Sequence, residues 1–103
     1  MSKIYPVENS DNAVIGYVFN CPGCKSPHLM HVKPYRNKLN ASWFWNGNLD
    51  RPTFHPSILQ KIEYGSGETE VCHSWVQDGK IRFLSDCTHE LAGKEVELPK
   101  IEQ

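Results

Sequence analysis

The chain has 103 residues, of which 39% are hydrophobic and 22% charged, and a formal net charge of −1. These values are typical of one globular domain, and the near-neutral charge excludes a general attraction to nucleic acid or an anionic membrane. No apolar run is long enough to span a bilayer, and residues 1–12 lack the apolar region of a secretory signal. We therefore expect a single cytoplasmic domain over residues 1–103 that does not associate with membranes, with 1–12 as a flexible or edge segment.

The first predicted strand covers residues 14–19 and leads directly into the motif Cys21-Pro22-Gly23-Cys24. Residues 29–32 are predicted to return as a second strand. An aromatic run follows at 43–45 and ends at the turn signal Asn46-Gly47. Two prolines then keep residues 51–57 extended and outside any helix. Residues 58–63 alternate as a strand does, and a glycine-containing loop at 65–67 follows.

The clearest element is a hairpin of residues 71–77 and 80–86 around Asp78-Gly79, a pair favoured in two-residue turns. Residues 88–93 suit one helical turn, with Thr88 as the N-cap and Gly93 as the terminator. Residues 94–98 form the last predicted strand. No stretch keeps a helical period for long. We predict a mainly β fold, a small antiparallel sheet or sandwich with a zinc-ribbon-like Cys-x-x-Cys knuckle and little helix.

Cys21 and Cys24 have the spacing of a metal-binding knuckle. The glycine between them permits a tight turn, so that both thiolates can face one ion. A redox motif of the same spacing is normally followed by a helix, whereas a strand is predicted here. In a reducing cytoplasm, cysteines are more often metal ligands than disulfides. The sequence therefore predicts one structural Zn²⁺.

The other zinc ligands are expected from the hairpin region. If Gln77 pairs with Lys80, Cys72 lies opposite Ser85, and Cys87 is its diagonal neighbour on the same face, with Cα atoms roughly 7–8 Å apart. This register favours a closed site without metal-bound water. The preferred set is Cys21, Cys24, Cys72 and Cys87. One alternative exchanges Cys72 for His89, and a shift of one residue in the hairpin would bring His73 to the metal instead.

The same register places His73 beside Asp86 on the opposite face of the hairpin. A carboxylate beside an imidazole fixes its tautomer for proton transfer or metal binding. The candidates for a catalytic role are His73, His89, Asp86 and His28, the last because it closely follows the knuckle. A structural hydrogen bond is favoured over catalysis here, because nothing in the sequence identifies a nucleophile or a substrate pocket.

The aromatic run Trp43-Phe44-Trp45 follows several basic residues, an association found in proteins that bind single-stranded nucleic acid. Three adjacent rings in a small β domain more often belong to the core, because each ring buries a large apolar area. We therefore rank nucleic-acid binding below a core role.

The knuckle, the segments Trp45-Asn46-Gly47 and Arg51-Pro52-Thr53-Phe54, and the run from Cys72 to Pro99 resemble a family of short phage and prophage proteins. The resemblance covers about residues 19–99. Members often carry the label ammonia monooxygenase, which does not suit a chain too short for a membrane copper oxidase. The resemblance implies a mobile-element setting, metal binding, and a link to ubiquitin-like conjugation and defence systems. It also implies that Cys21, Cys24, Cys72, His73, Cys87 and His89 occupy the family's motif positions, with His73 or His89 as a possible fourth ligand.

The leading functional hypothesis is a zinc-stabilised phage or mobile-element accessory protein that binds a host or phage protein. Enzymatic activity is left open, with a binding role favoured over it. The first alternative is a zinc hydrolase, peptidase-like and linked to ubiquitin-like conjugation, in which a metal-bound water reacts. The second alternative is a single-stranded nucleic-acid binder. The number of protein ligands on the metal separates the first two hypotheses.

Overall fold

The structure, a computed structural model, describes residues 2–101, and all regular elements in that range are β-strands. A three-stranded antiparallel sheet has the order β1-β2-β3, and a five-stranded antiparallel sheet has the order β4-β5-β6-β7-β8. The mainly β prediction is confirmed. No helix among residues 2–101 is long and apolar enough to cross a membrane. The strands are β1 Tyr5–Glu8, β2 Val14–Asn20, β3 Pro27–His31, β4 Phe44–Trp45, β5 Phe54–Glu63, β6 Thr69–Gln77, β7 Lys80–Phe83 and β8 Glu95–Glu97.

The three-stranded sheet is built around the hairpin of β2 and β3, and the Cys-x-x-Cys motif forms its turn. The amide of Lys25 donates to the Cys21 carbonyl at 2.9 Å, and the Cys21 amide donates to Ser26 at 3.0 Å. These bonds close a tight knuckle directly after β2. The strand β1 lies at the sheet edge, with Tyr5 paired to Val18. It falls within residues 1–12, which were expected to form a flexible or an edge segment.

The turn between β6 and β7 has the predicted register, with Gln77 paired to Lys80. Asp78 and Gly79 both have positive φ angles, 53° and 78°, as a two-residue hairpin turn of this kind requires. The strand β7 ends at Phe83, however, and not at residue 86 as predicted. Cys72 therefore has no strand partner at Ser85.

A further prediction, the helical turn at residues 88–93, is wrong in detail. After β7 the chain turns, because the Cys87 amide donates to the Leu84 carbonyl at 3.2 Å. Residues 88–93 form consecutive turns instead of a helical turn. Their bonds join residues three apart, from Ala92 to His89 and from Lys94 to Leu91, so the i to i+4 bonds of an α-helix are not made.

The pairing of β5 with β6 contains a bulge. Phe54 pairs with Val76 and Ile58 with Ser74, so three residues of β5 lie opposite the single residue Trp75 of β6. Residues 55–57 therefore lie outside the regular ladder, as the residues of a bulge do.

The core lies between the two sheets, where their inward-facing side chains alternate with outward-facing ones along each strand. On β6, Cys72, Ser74 and Val76 are buried, whereas His73 and Trp75 face outward. The core cluster consists of Ile4, Phe19, Cys21, Met30, Trp43, Phe54, Ile58, Cys72, Val76, Ile81, Phe83, Cys87 and Leu98.

Candidate active site and metal centre

Three polar side chains meet on the outward face of the five-stranded sheet. Ser57 belongs to the bulged part of β5, His73 to the neighbouring strand β6, and Asp86 to the turn after β7. Their order across the sheet follows the order of the strands, so the imidazole of His73 lies between the hydroxyl and the carboxylate.

The contacts of His73 use its two ring nitrogens differently. Nε2 lies 3.3 Å from the Ser57 hydroxyl oxygen, and Nδ1 lies 3.0 Å from a carboxylate oxygen of Asp86. This is the arrangement of a Ser-His-Asp triad, in which the carboxylate holds the Nδ1–H tautomer and leaves Nε2 free to accept the serine proton. The structure thus brings His73 and Asp86 into contact, as the hairpin register predicts, and places the Ser57 hydroxyl at the other ring nitrogen.

The turn after β7 positions Asp86. Leu84 still donates to the His73 carbonyl at 2.9 Å, as in a ladder, but the Leu84 carbonyl accepts the amide of Cys87 and not that of His73. Asp86 therefore lies near the end of a tight turn that folds back toward His73.

The surface beside this triad is accessible. The side chain of His73 is one-quarter exposed and that of Asp86 more than half exposed. A groove of about 360 Å³ lies on the same sheet face. Two of the residues that line it are close in sequence to the triad: His55 is two residues before Ser57, and Trp75 is two residues after His73. The ring of His55 is stacked on Phe44 with ring centres 6.2 Å apart. The groove is lined by His55, Trp75, Gln77, Lys80, Arg82 and Glu95.

A second cluster lies between the two sheets, where the β2–β3 turn and β3 meet the inward face of β6. The ligand atoms of Cys21, Cys24, His28 and Cys72 all lie within 4.8 Å of one another. The sulfur atoms of Cys21 and Cys72 are 3.7 Å apart, and Nε2 of His28 is 3.1 Å from the sulfur of Cys24. Three sulfur donors and one imidazole nitrogen in a mostly buried group could hold a metal ion.

The thiols of this cluster influence one another. The hydrogen bond with the Cys72 thiol lowers the pKa of Cys21 to about 3, and the same bond, together with burial, raises the pKa of Cys72. Burial also raises the pKa of Cys24. Without a cation the group favours one thiolate stabilised by neighbouring thiols, whereas a bound cation would favour further deprotonation.

Cys87 is the expected ligand that the structure places elsewhere. Its sulfur accepts a hydrogen bond from the His73 amide at 3.2 Å and donates to the His73 carbonyl at 3.1 Å. Cys21, Cys24 and Cys72 come together as predicted, and the fourth member of the group is His28. The reason is the early end of β7, which removes Cys87 from the ladder on which the predicted ligand geometry depended.

His89, the other alternative ligand, is also outside the metal group. Its ring packs edge-on against Phe83 with centres 4.5 Å apart, and its Nδ1 accepts the amide of Leu91 at 3.2 Å. A Cβ atom at position 23 would lie 2.3 Å from the His89 ring. Gly23 therefore permits close packing of the knuckle on His89, in addition to the tight turn expected of it.

The aromatic run divides between core and surface. Trp43 is 8% exposed and belongs to the core, Trp45 packs on Tyr17 with ring centres 4.1 Å apart, and Phe44 is 55% exposed. Adjacent residues of a strand face opposite sides of the sheet, so the three rings do not form one stacking surface.

Ser57 is the functional residue that the sequence analysis did not identify. A regular continuation of the β5–β6 pairing from Ile58 and Ser74 would have placed Ser57 opposite Trp75, diagonal to His73 on the same face. The diagonal rule that paired His73 with Asp86 would thus have indicated Ser57 too, had it been applied to this hairpin.

Comparison with known proteins identifies the family of this chain. A search of curated proteins and a search of solved structures each give no significant match. A family profile described as bacterial ubiquitination-like system serine protease (BubE) matches residues 1–84. The matched range contains Ser57, His73 and the four residues of the metal group, while Asp86 lies just beyond it. The chain belongs to the BubE family of bacterial ubiquitination-like system serine proteases.

Proposed function

We propose that this protein is a serine peptidase with Ser57 as its nucleophile, His73 as its general base and Asp86 as the group that orients the base. The observation that carries the proposal is the use of both imidazole nitrogens, Nε2 toward the hydroxyl at 3.3 Å and Nδ1 toward the carboxylate at 3.0 Å. The description of the family supports the same chemistry.

The proposed reaction follows from this arrangement. The Ser57 oxygen attacks a substrate carbonyl while its proton passes to Nε2 of His73. The Asp86 carboxylate stabilises the imidazolium that forms, which then gives the proton to the departing amine as the acyl bond breaks. Water, deprotonated by His73, releases the acyl group from Ser57 in the second half-reaction.

The proposed substrate is a polypeptide of a bacterial ubiquitination-like system, as the family description suggests. The site lies on an open sheet face beside a groove with exposed aromatic and charged side chains, which suits a protein chain better than a small enclosed molecule. The macromolecular partner expected from the sequence would then be the substrate.

A fluorophosphonate probe tests the proposal without knowledge of the substrate, because it reacts with activated serines. We expect stoichiometric labelling at Ser57, no labelling of Ser57→Ala, and labelling slowed by about a thousandfold or more in His73→Ala. Ser66→Ala, in the exposed loop between β5 and β6, is the matched control and should label as the parent does. Labelling that persists in Ser57→Ala would contradict the assignment.

For the second cluster we propose a structural Zn²⁺ held by Cys21, Cys24, His28 and Cys72. Three thiolates and one imidazole are a common tetrahedral zinc set, and four protein ligands leave no position for a reacting water. His73 and Asp86 are not part of this group, so the geometry favours peptide hydrolysis by serine over hydrolysis by metal-bound water.

Elemental analysis of protein prepared without a metal-binding tag should find about one zinc per chain. The cobalt-substituted protein should show the charge-transfer absorption of three thiolates, and Cys24→Ser should lose this absorption because it no longer holds the ion. A spectrum of four thiolates would instead return Cys87 to the ligand set, and folded protein without metal would refute the site.

A further inference from the structure

The thiol of Cys87 lies against the main chain of His73. It accepts the His73 amide hydrogen at 3.2 Å and donates its own hydrogen to the His73 carbonyl at 3.1 Å. One side chain thus bonds to both backbone polar groups of the residue that we assign as the general base. Cys87 is 8% exposed, so this contact is largely shielded from water.

The contact has a structural cause. In a regular antiparallel ladder, the amide of His73 would donate to the carbonyl of the residue opposite, Leu84. That carbonyl accepts the amide of Cys87 instead, closing the turn that brings Asp86 to His73. Because the Leu84 carbonyl is used in the turn, the His73 amide donates to the thiol of Cys87 instead.

We infer that Cys87 is a positioning residue of the serine peptidase site, and this inference rests on the proposed function. Its thiol fixes the backbone of His73, while its peptide bond to Asp86 ties the carboxylate to the same turn. The base and the group that orients it are held together by one residue that touches neither Ser57 nor the substrate. Cys87 is then conformational support for the triad and not a zinc ligand.

The inference predicts that the hydrogen-bonding capacity of residue 87 matters more than its volume. Alanine would leave a shielded amide without a partner, which is costly in a folded protein. Serine has both a donor and an acceptor, although its shorter C–O bond lengthens the contacts. A small displacement of a catalytic group can slow a reaction by about a hundredfold.

The test compares Cys87→Ala and Cys87→Ser in the full chain by three measurements: the rate of fluorophosphonate labelling at Ser57, the melting temperature and the zinc content. We expect alanine to slow labelling by about tenfold or more, serine to recover most of the rate, and both to retain the metal content of the parent. Val76→Ala is the matched control, because it removes buried volume from the core face of the same strand. It should lower the melting temperature while changing the labelling rate by less than about twofold.

Two results would overturn the inference. Loss of zinc from Cys87→Ser would make Cys87 a ligand, and an unchanged labelling rate in Cys87→Ala would show that the thiol does not position His73. Failure of the proposed function is distinguishable from both, because the parent protein itself would then not label at Ser57.

Discussion

Asp78 and Arg51 anchor the turn between β6 and β7, the two strands whose register places Asp86 near His73. The guanidinium of Arg51 donates to both carboxylate oxygens of Asp78, at 2.8 and 2.6 Å. The amide of Asp78 donates to the hydroxyl of Thr53 at 2.8 Å, and the Gly79 amide donates to the Pro52 carbonyl at 2.9 Å. The turn is thus bound to the segment that precedes the bulge of Ser57.

Replacing Arg51 with Gln should raise the pKa of the Asp78 carboxyl toward its ordinary value, because hydrogen bonding to Arg51 is the main cause of its lowered pKa. Because the carboxyl pKa is lower in the folded state, the ion pair stabilises the fold at pH values above the unfolded-state pKa of about 3.9. This stabilisation is lost as the pH falls through the pKa of the folded state. NMR titration of the carboxyl carbon measures the shift directly.

Glu97 provides the control in the same titration. Its carboxyl pKa is lowered chiefly by Lys3, with Arg51 only a minor contributor. The Glu97 midpoint should therefore move little in Arg51→Gln. Equal movement of both midpoints would indicate a general change of fold and not the loss of one ion pair.

At the level of elements, the sequence was sufficient for most of the strands and for one register, although β1 was not predicted as a strand and β5 begins earlier than expected. The Asp78-Gly79 turn determines which residues of β6 and β7 face each other, and the observed pairing of Gln77 with Lys80 matches the expectation. Side chains alternate between the two faces of β6 from this turn onward. The prediction that Cys72 faces inward and His73 outward is therefore correct. The type of a two-residue turn depends mainly on its own two residues, so the sequence alone is enough to predict which residues of the two strands pair.

The departures from a regular ladder were not predictable in the same way. The bulge at residues 55–57 and the turn at residues 84–87 both lie where a strand stops being regular. Each depends on contacts with distant residues, such as those of Cys87 with His73. His28, the fourth member of the metal group, depends on such distant contacts. Ser57 lies diagonal to His73 once the register of β5 and β6 is given, but the loop between these strands does not fix their register from sequence as the Asp78-Gly79 turn does for β6 and β7.

For the whole molecule, the metal group is one of the connections between the two sheets. Cys21, Cys24 and His28 belong to the β2–β3 region of the smaller sheet, whereas Cys72 belongs to β6 of the larger one. The N-terminal segment adds another connection, since Lys3 contacts the Gly79 carbonyl at 3.0 Å and pairs with Glu97 of β8. An ion at this position would hold the two halves of the core together.

Removal of the metal with a chelator should therefore lower the melting temperature of the parent by at least about 10 °C, because structural zinc contributes strongly to the stability of small domains. Cys24→Ser should melt at a lower temperature from the outset, and the chelator should then have little further effect. His55→Ala, on the outward face, is the control and should retain the full response to the chelator. An equal response in Cys24→Ser and the parent would place the metal elsewhere.

The two clusters differ in how far along the chain their members lie. Ser57 and His73 are 16 residues apart and His73 and Asp86 are 13 apart, whereas Cys21 and Cys72 are separated by 51. Closing the longer loop costs about 1 kcal/mol more in chain entropy, and contacts between neighbouring hairpin strands generally form faster than distant ones. We therefore expect a newly synthesised chain to align its triad through local hairpins first. Joining the two sheets then becomes the late event of folding, and with the proposed ion in place its completion would depend on the supply of metal in the cell.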